Sequence, residues 1–116
     1  MHELSVVKSI LDICLRYAKT NEAFKIISIE LKIGELSDLE PIWIQRYFDL
    51  VSRNTIAEGA KLKIERIPVI LRCSECSDTF SFNVREIDGI DCPRCGSKKC
   101  TVISGREYFI GNMEVI

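Results

Sequence analysis

Four cysteines, Cys73, Cys76, Cys92 and Cys95, make a C-x2-C-x15-C-x2-C pattern that constrains the fold more than any other feature of the sequence. Each C-x-x-C turn can aim two thiolates at one point, and two such turns complete a tetrahedral sulfur shell around a d10 ion. The default ion is zinc, although iron also accepts four thiolates. A shell filled by four cysteines has no position for a reactive water, so the centre reads as structural. Phe80 and Phe82, with Pro93 and Gly96 in the second turn, supply a minimal core and tight corners. The metal then provides much of the folding energy that so small a module lacks.

Reading these thiols as ligands rather than disulfides depends on a reducing compartment. The start MHELSVVKS has no basic segment leading into a long apolar one. Nor does any apolar run approach the roughly 18 to 20 residues of a membrane span. A cytoplasmic protein without a membrane partner is expected. Of the two remaining cysteines, Cys14 reads as a small core thiol and Cys100 as an unliganded one.

The rest of the chain reads as an α+β domain. Leu4, Val7, Leu11, Cys14 and Ala18, reinforced by Val6, Ile10, Ile13 and Tyr17, predict a helix with a broad apolar face from Leu4 to about Lys19. Ile27, Ile29, Leu31 and Ile33 alternate with Ser28, Glu30, Lys32 and Gly34, the signature of a strand with one buried face. Pro41 suits the first turn of a second helix running to about Asn54. Its apolar side is Trp43, Ile44, Tyr47, Phe48 and Val51, and the aromatic cluster reads as core.

A second strand opens at Gly59-Ala60 with Leu62 and Ile64 on one face. From Ile67 the apolar phase slips to Ile67, Val69 and Leu71 around Pro68, which predicts a bend, with residues 66–72 as a linker to the cysteine module. Residues 101–104 read as a short strand, Gly105 as a turn and 107–116 as a final strand of ambiguous apolar phase. The expectation is two helices packed on a three-stranded sheet, with an inserted zinc-ribbon-like module built on the four paired cysteines. The first domain takes residues 1–66 and 105–116, and the zinc-binding domain residues 67–104.

The single histidine, His2, stands beside the chain's first amine. The Met1 amine, the His2 amide nitrogen and the imidazole Nδ1 can close adjacent five- and six-membered chelate rings. That planar nitrogen set suits the tetragonal preference of Ni(II) or Cu(II) rather than tetrahedral zinc. Amides in a helix's first turn have no intrahelical acceptor, so a metal can deprotonate one without breaking a helix hydrogen bond. The positive end of the helix would repel a cation, and Glu3 offsets that charge. A fourth ligand must come from elsewhere, with Glu40 first among the candidates, then Glu35 and Asp38.

Several stretches carry a resemblance beyond these readings. MHELSVVKSI, IELKIGELSDLEP, EGAKLKIERIP, the two cysteine pairs with CPRCGS, and SGREYFIGNMEVI together resemble the HypA/HybF family of nickel metallochaperones in hydrogenase maturation, over essentially the whole chain. The resemblance implies nickel held around His2 and Glu3 in the first domain, and structural zinc held by Cys73, Cys76, Cys92 and Cys95. It also implies delivery of Ni(II) to the hydrogenase large subunit with a maturation GTPase as partner, and in some relatives a supply to urease maturation proteins. Certain family members place histidines in or beside the cysteine turns; this chain has none there.

A zinc-ribbon module could bind nucleic acid or a protein partner through Arg72, Arg85, Arg94, Lys98 and Lys99. Sixteen basic residues face seventeen acidic ones, however, for a net charge of -1, which gives no general attraction to a polyanion. An enzyme is not expected, because with a single histidine no Ser/His/Asp or Cys/His constellation forms away from the terminus.

Overall fold

The computed structural model describes residues 3–82 and 91–116. Helix α1 spans Glu3–Thr20 and buries Val7, Ile10, Leu11, Cys14 and Ala18, a stripe spaced three and four residues apart. The stripe is narrower than the sequence suggests, since Ile13 and Tyr17 are 53% and 64% exposed. The helix closes in a Schellman motif, with Ala23 N–H donating to Ala18 O and Glu22 N–H to Lys19 O. Glu22 takes the left-handed position at φ 55, where glycine is more usual.

Strand β1, Ile26–Gly34, buries Ile29, Leu31 and Ile33 on one face. Helix α2, Pro41–Val51, starts with proline in its first turn and packs against α1. It buries only Ile44 and Phe48. Trp43, expected in the core, is 45% exposed and lies beneath the Arg46 guanidinium at 5.3 Å. One residue of helix turns the side chain by about 100°. That step takes Trp43 off the Ile44–Phe48 stripe, beside Tyr47 at a centroid distance of 6.0 Å.

Strand β2 spans Lys61–Ile67 and β3 spans Val69–Cys73. The expected linker over residues 66–72 is therefore almost entirely strand. Pro68 lacks the N–H that a ladder requires, so it breaks one extended run into two strands belonging to different sheets. The phase slip read from the sequence marks that change of sheet.

Strands β4, Thr79–Phe82, and β5, Cys100–Ser104, flank β3 antiparallel in the order β4-β3-β5. Leu71 faces Phe80 and Val69 faces Phe82, which places the two half-buried phenylalanines against the buried centre of the sheet. The last strand, β6 (Tyr108–Val115), lies beside β1 in the other sheet, ordered β2-β1-β6. Ile116 N–H donates to Lys25 O and Gly34 N–H to Glu107 O, so β1 and β6 run antiparallel. The fold is two helices with a three-stranded sheet, and the cysteine module is inserted before the strand that returns to that sheet.

Two compact units result. One comprises Met1–Lys32, Asp38–Glu65 and Phe109–Ile116; the other comprises Ile33–Ser37 and Arg66–Tyr108. The second includes a close backbone crossing. Leu36 N–H donates to Gly105 O at 2.8 Å, and a Cβ on Gly34 would lie 2.0 Å from that same oxygen. Glycine is required there by lack of space.

Candidate metal centres

The two cysteine turns repeat one hydrogen-bond pattern. In the first, Ser77 N–H donates to Cys73 O and Cys73 N–H to Asp78 O. In the second, Gly96 N–H donates to Cys92 O and Cys92 N–H to Ser97 O. The fourth residue after each leading cysteine is left-handed, Ser77 at φ 61 and Gly96 at φ 76. Such a turn curls the chain back and points both thiols of its pair to one side.

The four ligand atoms all lie within 4.8 Å of one another. Cys73 Sγ is 3.4 Å from Cys95 Sγ, and Cys76 Sγ is 3.6 Å from Cys92 Sγ. A tetrahedral shell with metal–sulfur bonds of about 2.3 Å has edges of about 3.8 Å. The cluster thus fits a tetrahedral ion such as zinc. Its donors are all sulfur, and Cys73 and Cys92 are buried while Cys95 is exposed.

Electrostatics divide the four thiols. Backbone N–H of Cys76 stabilises the Cys73 thiolate and, with help from Glu75 N–H and the Cys95 and Cys76 thiols, outweighs burial to bring its pKa down to about 6. Cys92 is lowered in the same way, chiefly by Cys95 N–H against burial. At Cys95, Ser97 N–H pulls the pKa down, but the Cys73 thiol, burial and the Cys92 and Cys76 thiols together push it up to about 12. Cys76 also ends raised; Asp78 N–H opposes the rise, and burial and the Cys92 and Cys73 thiols cause it. Four thiolates this close repel one another, and a bound dication removes that conflict.

Cys100, read from the sequence as unliganded, stands opposite Cys73 in the β3–β5 ladder. Its pKa is raised by burial first and then by the charges of Cys73 and Cys92. The useful signal is its strand position, which becomes visible only when the register of β3 and β5 is known. Cys14 is elsewhere, on the buried stripe of α1, with burial pushing its thiol up to about 11.

The expected nickel ligands are placed less completely. Met1 and His2 lie outside the described residues, as does Arg85 of the basic set. Glu3 is half-buried in the first turn of α1. Glu40 is the exposed N-cap residue of α2, extended at φ -96 and ψ 120, and its side chain makes no capping bond. Glu35 is half-buried in the second unit, and Asp38 is exposed in the first. Among the described residues the structure gathers only the four cysteines into a group of three or more converging metal-ligand side chains. Arg72, Arg94, Lys98 and Lys99 are all exposed.

A family model described as "Hydrogenase/urease nickel incorporation, metallochaperone, hypA" matches residues 1–115. The chain belongs to the HypA family. It is 36% identical over 115 residues to the hydrogenase maturation factor HypA of Dehalococcoides mccartyi, covering 99% of this chain and 94% of the relative. Identity to the HypA of Shewanella oneidensis is 32% over 115 residues, with coverage of 99% and 95%. Among solved structures, the Ni metallochaperone HypA from Helicobacter pylori matches with a TM-score of 0.68 and 31% identity, over 100% of this chain and 98% of that one. A second solution structure of a HypA protein matches with a TM-score of 0.76 and 32% identity, over 100% and 97%.

Membership accounts for the chain as a nickel metallochaperone of hydrogenase maturation. HypA proteins are carriers of a metal, which agrees with a site whose chemistry is ligation. No helix among the described residues is long and apolar enough to cross a membrane.

Proposed function

We propose that this chain carries Ni(II) at its amino-terminal end, through the Met1 amine and His2 with Glu3 beside them, and that Cys73, Cys76, Cys92 and Cys95 hold structural zinc. Nickel is cargo, and its recipients are the hydrogenase large subunit, with a maturation GTPase as partner, and urease maturation proteins where these are present. The carrying observation is a family match that begins at residue 1 and includes the only histidine of the chain. The place of Glu3 in the first turn of α1 supports it, because amides of a first turn have no intrahelical acceptor to lose.

A carrier must hold its ion firmly and still release it. A few ligands at the chain's start suit that task better than an enclosing cage. Glu40 remains the proposed fourth ligand, supported by its exposed carboxylate at the N-cap of α2, with Asp38 as substitute. Zinc, when bound, cross-links the two cysteine turns. The chain's own part is to preset those turns by the paired backbone bonds at Cys73 and Cys92.

Nickel titration of the untagged, zinc-loaded protein tests the proposal. One nickel per chain, with affinity lost in His2→Ala and in protein with a blocked Met1 amine, is expected. Unchanged affinity in both would remove the terminal site.

A further inference from the structure

The second unit contains five cysteines, one more than a tetrahedral centre uses. Register decides where the fifth points. Cys100 on β5 is the Cα partner of Cys73 on β3. The next pair along, Ser74 and Lys99, carries a ladder bond from Ser74 N–H to Lys99 O at 2.8 Å. Hydrogen-bonded and non-hydrogen-bonded pairs alternate in an antiparallel ladder, so Cys73 and Cys100 form a non-hydrogen-bonded pair. In such pairs the Cα atoms are about 4.5 Å apart and the side chains approach most closely on one face.

That face is the metal-binding one, since Cys73 points into it and is fully buried. Cys100 is half-buried there, directly across the ladder from Cys73. Its thiol donates a long bond to Ser97 O at 3.8 Å. Cys95, the one exposed member of the four, has its Sγ 3.4 Å from that of Cys73. The ligand most open to solvent and the thiol without a ligand role are thus both neighbours of Cys73.

We propose that Cys100 is a reserve ligand that completes a four-sulfur shell with Cys73, Cys76 and Cys92 when Cys95 leaves the metal. The exchange balances without an oxidant: the Cys95 thiolate takes a proton from water as it departs, and the Cys100 S–H gives one to water as it binds. The shell keeps its charge and its preference for a thiophilic divalent ion. Loss of the exposed ligand then costs a rearrangement rather than the metal.

This inference rests on the four-cysteine zinc centre proposed above, and the test separates the two. Zinc-edge X-ray absorption of the full-length protein, with native alkylation of Cys100 read by peptide mass spectrometry, is compared in wild type, Cys95→Ser and Cys95→Ser/Cys100→Ser. The wild type should show four sulfurs with Cys100 open to alkylation. Cys95→Ser should keep zinc with four sulfurs and protect Cys100, and the double variant should lose a sulfur or the metal. Cys95→Ser with three sulfurs and Cys100 still alkylated, or with no zinc, overturns the proposal. A second measurement does not depend on the folding of Cys95→Ser: zinc release to a chelator should be faster from Cys100→Ser than from wild type, and equal rates would count against a reserve role. A wild type without sulfur-bound zinc overturns both readings, and does so before any substitution is made.

Discussion

Ser77 and Gly96 hold equivalent places in the two cysteine turns, each donating its N–H to the carbonyl of the leading cysteine from a left-handed backbone. Only one of them is glycine. A side chain in that conformation costs about 1–2 kcal/mol, which the first turn carries and the second avoids. Ser77→Gly should therefore raise the stability of the zinc-loaded protein, offset in part by the extra freedom glycine gives the unfolded chain. A Cβ on Gly96 would meet nothing within 4 Å, so Gly96→Ala isolates the backbone effect. It should destabilise by about 1 kcal/mol with the zinc stoichiometry unchanged, as read by denaturant unfolding in excess zinc.

Gly34→Ala tests a different kind of glycine. Its new methyl would lie 2.0 Å from Gly105 O and must push apart a crossing held by the Leu36–Gly105 hydrogen bond. The expected loss is about 1–3 kcal/mol, the usual scale of overpacking. An unfolding midpoint equal to wild type would show that the crossing yields freely.

Cys14 should be chemically silent in the native protein. Burial raises its pKa from the ordinary value of 9.0 to about 11, so at pH 8 it remains a neutral thiol. A thiol reagent at that pH should modify Cys14 only after denaturation. The sign of the linkage follows: a pKa raised on folding favours the native state below pH 9.0, and that contribution disappears as pH climbs toward about 11. Cys14→Ala should flatten the decline of stability across that alkaline window. An unchanged decline would assign it to other groups.

Nickel affinity should weaken in acid. Both proposed nitrogen ligands must lose protons to bind, and their reference values are about 6.5 for imidazole and about 7.7–8.0 for an α-amine. Competition titrations should show affinity falling as pH drops through about 8 to 6. A flat profile over that range would point to carboxylate ligands instead.

How much of this is legible in the sequence depends on the range of the interaction that decides each feature. Periodicity within one element announces α1 and β1, and cysteine spacing announces the converging thiols, whereas the last strand has an ambiguous apolar phase and its place beside β1 is decided by long-range pairing. Exposure of Ile13, Tyr17 and Trp43 is not legible, because an apolar side chain at the flank of a stripe looks the same in sequence as one at its centre. Pro68 reads as a bend inside a linker, whereas it separates two strands of different sheets. Local patterning shows that a ladder is interrupted but not which partner each part then finds. The place of Cys100 follows from the β3–β5 register, a pairing between residues far apart in sequence.

Both metal assignments can be read in one sample. X-ray absorption at the nickel and zinc edges of untagged protein loaded with both ions separates nitrogen and oxygen ligands from sulfur. Nickel should occupy a planar nitrogen and oxygen shell that is lost in His2→Ala, and zinc a four-sulfur shell that is unaffected by that substitution. Sulfur in the nickel shell, or a nickel spectrum unchanged by His2→Ala, would contradict these assignments.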